Sequence, residues 1–146
     1  LLFKWKIQGY RNFAYIFAKK ILEIYNEYFK DYVIVPVPPR PYKIKNQGWD
    51  QINDIMNFLR KISKIKIMNL LERTESVQQK KLNRNQRLAN KESYVVKKKY
   101  LKTKLPSKIV IVDDIITTGV TLENCAIALK NLGVNTVCAI TLFIAD

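Results

Sequence analysis

The stretch Lys108-Ile109-Val110-Ile111-Val112-Asp113-Asp114-Ile115-Ile116-Thr117-Thr118-Gly119-Val120-Thr121 decides the reading of this chain. Ile109 to Val112 is a continuous β-branched run, the pattern of a strand buried on both faces. Two carboxylates follow, then a turn rich in threonine, then a helix expected over Leu122 to Leu132 with Leu122, Cys125, Ala126 and Leu129 on one face. Gly133 falls where a left-handed helix end is expected. A turn of this composition brings backbone N–H groups and the hydroxyls of Thr117, Thr118 and Thr121 to a helix N-terminus, where unpaired donors and the helix dipole favour a phosphate. Gly119 lets the backbone approach phosphate oxygens without a Cβ in the way. Adjacent strand residues point to opposite faces, so Asp113 and Asp114 serve one ligand together only if the chain bends there, and a bend is expected. Carboxylates beside a phosphate cradle suit the hydroxyls of a ribose 5-phosphate, and one of them can hold Mg²⁺ directly or through water.

Working outward, Asn135 to Ile144 reads as a last strand. Upstream, Asn12 to Phe29 carries apolar residues at helical spacing, and Tyr32 to Val35 is a strand broken by Pro36, Pro38 and Pro39. Gln51 to Ser63 is a second amphipathic helix, and Ile65 to Leu71 is expected as the next strand. Residues 72–92 read as a long loop with a short helical piece near Gln86 to Asn90, and Tyr94 to Val96 as a short strand before a charged linker. Strands alternating with helices predict an α/β fold with a mostly parallel sheet flanked by helices, in a single domain over residues 1–146.

Composition removes several chemistries. The 146 residues include no histidine, which excludes Ser-His-Asp and Cys-His nucleophile systems and any imidazole acid–base step. Two cysteines, Cys125 and Cys138, build neither a disulfide framework nor a four-cysteine zinc site, and read as small buried residues. Four glycines cannot spell G-x-G-x-x-G, and no G-x-x-x-x-G-K-[ST] is present, so dinucleotide and P-loop folds fall away. No apolar run approaches the ~20 residues of a membrane span, and no signal-peptide pattern is present, so no membrane insertion and a cytoplasmic location are expected. The formal charge of +14 is divided unevenly: +3 over residues 1–39, +13 over 40–104 and −2 over 105–146. A basic middle segment fits a pyrophosphate, a single strand of DNA, or a lysine-rich composition with no ligand behind it.

The segment Val110 to Thr121 resembles the phosphoribosyl pyrophosphate (PRPP) motif of type I phosphoribosyltransferases. That resemblance implies ribose binding by Asp113 and Asp114, and 5-phosphate binding by Thr117, Thr118, Gly119, Val120 and Thr121. A second resemblance is to the ComF-type competence proteins. It rests on Val35-Pro36-Val37-Pro38, Gln47-Gly48-Trp49-Asp50-Gln51, then Arg73, Gln79, Leu82, Arg87 and Asn90, then Ser93-Tyr94. Gln47 stands where that family has Arg, Trp49 for Phe, Asp50 for Asn, Ser76 for Thr and Tyr94 for Phe. The N-terminal Cys-x-x-Cys zinc ribbon common in the family is not found here, consistent with a chain that starts late.

The resemblance implies a Mg²⁺-dependent glycosyl transfer from PRPP, in which the protein positions the donor and neutralises the leaving pyrophosphate, so no histidine is required. Arg40, Arg73 and Arg87 are the pyrophosphate candidates, and Gln79 and Asn90 are candidates for ordering the loop. Trp49 and Tyr94 are weighed as base-stacking platforms but read better as core. The competing reading is a PRPP-binding module without turnover that contacts single-stranded DNA through Lys43, Lys45, Lys80, Lys81, Arg84 and Lys97 to Lys99 and works with a protein partner of the competence machinery. The sequence specifies neither the acceptor nor the oligomeric state.

Overall fold

The computed structural model describes residues 12–39, 48–74 and 93–145. In chain order the elements are α1 (Phe13–Tyr28), β1 (Val33–Pro36), α2 (Gln51–Ile62), β2 (Leu71–Thr74), β3 (Ser93–Val96), a 3₁₀ turn (Lys98–Tyr100), β4 (Lys108–Ile116), α3 (Val120–Lys130) and β5 (Thr136–Ile144). β1, β4 and β5 form a parallel sheet in the order β1-β4-β5, and β2 and β3 pair antiparallel as a separate two-stranded ribbon.

β4 is central because it is the strand that can be: Ile109, Val110, Ile111 and Val112 are all buried, and each alternate pair feeds a different layer. Val110 and Val112 face a cluster with Ile34 and Ile140 that is closed by α1 and α2. Ile109 and Ile111 face a second cluster with Val35, Leu71, Tyr94 and Val96, closed by Cys125 and Leu129 of α3. The helices present matching stripes. α1 buries Ala14, Phe17, Ala18, Ile21 and Tyr25, and α2 buries Ile52, Ile55, Met56 and Leu59. Tyr25 also fixes the α1–β1 connection, because its hydroxyl reaches the carbonyls of Lys30 (3.0 Å) and Tyr32 (2.7 Å).

Two elements depart from the sequence expectation. Ile65 to Leu71 is not a strand of the main sheet. It touches β1 through one bridge, Ile34 to Ile67, held by Ile34 N–H to Lys66 O (3.0 Å) and Met68 N–H to Ile34 O (2.9 Å), and then leaves the sheet. The departure is forced downstream, where Leu71 must meet Val96 in the ribbon. Consequently Glu72 to Thr74, expected as the start of a loop, are strand. Periodicity misses them because only one side of a four-residue strand is buried, and the cross-strand partners lie 19 to 23 residues away. β4 runs on to Ile116, four residues past Val112, and the remaining boundaries shift by one or two residues. α3 starts at Val120 rather than Leu122 and ends before Leu132, which is exposed, and the helical piece expected near Gln86 to Asn90 lies outside the described residues.

Candidate functional site

Parallel strands bring their C-terminal ends to one edge of the sheet, and ligands of open α/β sheets bind at that edge. Here it carries Pro36 to Pro39 after β1 and Asp113 to Thr121 after the core of β4, and Val37 N–H donates to Val112 O at 2.9 Å to hold the two segments together.

The expected bend at the two acids does not occur. β4 continues to Ile116, with Asp113 paired to Thr141 and the ladder resuming at Ile115 with Phe143. By alternation Asp113 continues the Ile109–Ile111 side towards α3, and Asp114 continues the Val110–Val112 side towards α1 and α2. Asp114 is buried and Asp113 half-buried. The Asp113 carboxylate turns back on the chain and accepts from the Asp114 N–H at 2.8 Å through Oδ1. The two carboxylates therefore flank the end of the strand, one on each face.

The turn comes three residues later, at Thr117 to Gly119. Thr117 and Thr118 are exposed, and Gly119 adopts φ +81° and caps α3 with no side-chain hydrogen bond. A Cβ on Gly119 would meet only Ile116 Cδ1, at 3.8 Å, an ordinary contact. The left-handed backbone by itself favours glycine at this position. Thr118 Oγ1 lies 3.4 Å from the Val120 N–H, a long contact, and the intrahelical ladder begins with Glu123 N–H to Gly119 O at 2.9 Å. The first N–H groups of a helix have no intrahelical carbonyl to meet, so this end of α3 is a donor-rich, dipole-positive surface beside two acids.

Among the described residues no group of three or more His, Cys, Asp or Glu side chains could hold a metal ion. The chain's own side chains thus make no closed metal cage there. Two carboxylates near the donor-rich end of a helix fit, as hard oxygen donors, an ion such as Mg²⁺ that would take its remaining oxygens from a ligand, with Asp113 or Asp114 as the protein donor.

Of the basic candidates, Arg73 is described. It lies in β2, half-buried, with its guanidinium 5.6 Å from the centre of the Tyr94 ring. Arg40, Arg87, Gln79 and Asn90 lie outside the described residues, as do Lys43, Lys45, Lys80, Lys81 and Arg84. Lys98 and Lys99 are exposed, and Lys99 sits 4.9 Å from the centre of the Tyr100 ring. Trp49 packs half-buried against the α1–α2 cluster and Tyr94 is buried in the α3 cluster, so both side chains contribute to the core. Cys125 is fully buried; desolvation, reinforced by the Asp113 charge and opposed by Arg73, pushes its thiol from about 9 up to about 12. Cys138 is only partly buried, less than expected. A shallow groove of about 360 Å³ between α1 and α2, lined by Tyr15, Lys19, Leu22, Glu23, Asn26 and Ile62, includes none of these candidates.

Sequence reading missed two features. Asp50, seen only as a departure from a family pattern, is the buried N-cap of α2 and accepts from Asn53 N–H at 3.1 Å; Asn and Asp cap equally well, so the exchange preserves the function of the position. The pairing of Arg73 with Tyr94 needs the β2–β3 register and has no signal in either residue alone.

A central strand with two acids near its C-terminal end, followed by a glycine-capped helix in a parallel α/β sheet, defines a class, and comparison with known families agrees with it. Residues 9–146 match the phosphoribosyl transferase domain, and the chain belongs to that family. Its sequence is 27% identical over 130 residues to the competence protein ComFC of Streptococcus pneumoniae, across 89% of this chain and 56% of that protein. The chain thus spans little more than half the length of that curated relative. Among solved structures, a hypoxanthine phosphoribosyltransferase of Staphylococcus aureus shares the fold with a TM-score of 0.51 and 14% identity, over 92% of this chain and 64% of that one. Among the described residues no helix is long and apolar enough to cross a membrane.

Proposed function

We propose that this protein binds PRPP together with Mg²⁺ and transfers its phosphoribosyl group to an acceptor, as a ComF-type phosphoribosyltransferase associated with DNA uptake. The observation that supports the reading best is the left-handed Gly119 cap: it starts α3 without a carboxylate cap, five residues after the second of two carboxylates near the C-terminal end of the central strand. In this reading the N-terminus of α3, with Thr117 to Thr121, receives the 5-phosphate, and Asp113 and Asp114 accept hydrogen bonds from the ribose hydroxyls. Asp113 or Asp114 would hold Mg²⁺, which when bound would supply charge compensation for the pyrophosphate. The bond from C1 to the pyrophosphate oxygen breaks with its electron pair leaving on the pyrophosphate, and the acceptor's nucleophilic atom bonds to C1. The protein contributes placement and fixed donors, which needs no histidine. Arg40 and Arg87 remain the proposed pyrophosphate ligands, and Gln79 and Asn90 the proposed loop-ordering groups.

Calorimetric titration of PRPP with Mg²⁺ tests the site. Binding by the wild type and loss of binding in the Asp113→Asn, Asp114→Asn double variant are expected, and equal affinity in both proteins would discard the assignment. Pyrophosphate release across a panel of bases and amines then tests turnover.

A second reading, a PRPP-binding module that holds single-stranded DNA without turnover, draws support from one observation. Lys98, Lys99, Lys102, Lys104 and Lys108 are exposed along the approach to β4, at the opposite end of that strand from the acids. Under it, DNA affinity falls steeply with salt and pyrophosphate release stays silent; a flat salt dependence removes it.

A further inference from the structure

A charged side chain occupies an inward position on the α3 side of the molecule. In the β2–β3 ribbon, Leu71 stands opposite Val96 and Arg73 opposite Tyr94. Leu71, Tyr94 and Val96 are buried in the cluster of Ile109, Ile111, Cys125 and Leu129, whereas Glu72 and Val95, which alternate with them, are exposed. Period-two alternation therefore puts Arg73 on the buried face of the ribbon, in line with Leu71. Its guanidinium lies over the Tyr94 ring, 5.6 Å from the centroid, within cation–π range. On the same side, Asp113 continues the line of Ile109 and Ile111 along β4 and is likewise half-buried. Cys125 of α3, fully buried in the same cluster, has both charges near it: Asp113 pushes its thiol up and Arg73 opposes that shift. A guanidinium pressed on an apolar face is stabilised by a carboxylate there, and the planar fork of Arg fixes a carboxylate's orientation in a way that Lys does not.

We propose that Arg73, seated on Tyr94, is a positioning residue for Asp113: it holds that carboxylate on the α3 face, oriented to accept from ribose hydroxyls. This assigns Arg73 to the ribose half of the ligand rather than to the pyrophosphate. The inference rests on the ribose-binding role given to Asp113 above. Tyr94 acts one step further back, by setting where the guanidinium lies.

The affinities of PRPP, ribose 5-phosphate and inorganic pyrophosphate, each with Mg²⁺, separate the alternatives. In Arg73→Gln, ribose 5-phosphate and PRPP should both weaken by about tenfold or more, as expected for loss of a charge-assisted bond, with pyrophosphate affinity unchanged. Arg73→Lys, which keeps the charge but not the fork, should recover only part of that loss. Tyr94→Leu should weaken ribose 5-phosphate several-fold, less than additively with Arg73→Gln, and Tyr94→Phe should lose less than Tyr94→Leu. Melting temperatures confirm that each variant is folded, and the ligand split is a readout that a purely structural role would leave even. Loss of PRPP and pyrophosphate affinity with ribose 5-phosphate unchanged overturns the proposal and returns Arg73 to the pyrophosphate. A wild type that binds none of the three ligands rejects the ribose-phosphate site itself, whatever the variants do.

Discussion

The two helices that start at the ligand edge of the sheet begin in opposite ways. α2 opens with Asp50 in an extended conformation, buried, its carboxylate accepting from Asn53 N–H at 3.1 Å. α3 opens with Gly119 at φ +81°, with no carboxylate cap and with exposed threonines ahead of it. Both helices carry the same kind of dipole and the same surplus of N–H donors at this end. In α2 the chain supplies its own anion; in α3 a neutral hydroxyl, Thr118 Oγ1, is the nearest side-chain acceptor, 3.4 Å from Val120 N–H. If the proposed 5-phosphate sits at α3, the site is made as much by withholding a carboxylate cap as by adding a cation.

The comparison can be broken most directly by giving α3 the cap that α2 has. Gly119→Asp places a carboxylate where the 5-phosphate is proposed to sit, in a left-handed conformation that Asp tolerates better than most residues. Repulsion of several kcal/mol should cut PRPP affinity by about 100-fold or more, while Gly119→Asn, neutral and similar in shape, should cost much less. Equal losses in the two variants would mean that backbone geometry, not charge, governs the site.

Next in size is an alkaline effect inside α3. Folding raises the Cys125 thiol from about 9 to about 12, so the native state favours the protonated thiol. The associated stability is fully present below pH 9 and is lost as pH rises towards 12, where the folded thiol also ionises. Between pH 8 and 10 the urea-unfolding free energy of the wild type should fall by about 1 kcal/mol more than that of Cys125→Ala. Parallel curves for the two proteins would refute the burial-driven shift.

Removing the cap from α2 should cost less and should touch a different property. Asp50→Ala should lower stability by about 1 kcal/mol, read from the denaturant midpoint. Asp50→Asn is the smallest change, a few tenths of a kcal/mol that disappears at high salt, because the cap survives and only the charge–dipole part is removed. If either variant weakens PRPP binding at low salt as much as Gly119→Asp does, the two helix starts are not independent.

Much of this was legible in the residues. The run Ile109 to Val112 identifies a strand buried on both faces by residue type alone, and the stripes of α1 and α2 locate one whole layer of the core. The order of Asp113 to Thr121, two acids and then a glycine turn into a helix, was likewise readable from residue type. The ribbon was not legible. β2 has one buried apolar residue, Leu71, and its assignment depends on Tyr94 and Val96 across a wide gap in sequence. The mistaken bend at the acids has a similar origin: the residues show that two carboxylates are adjacent, but pairing with Thr141 and Phe143 of β5 keeps the chain extended through them.

By itself the sequence determined the layered α/β plan and the strand–acids–turn–helix order, since both follow from local periodicity and from which side chains can bind which groups. Only the tertiary structure decided that Asp113 and Asp114 lie on opposite faces and that Glu72 to Thr74 pair with β3. It also decided that Arg73 rests on Tyr94, on the Asp113 side. Those facts depend on strand register and on which face of the sheet each element covers, and register is a relation between segments far apart in the chain.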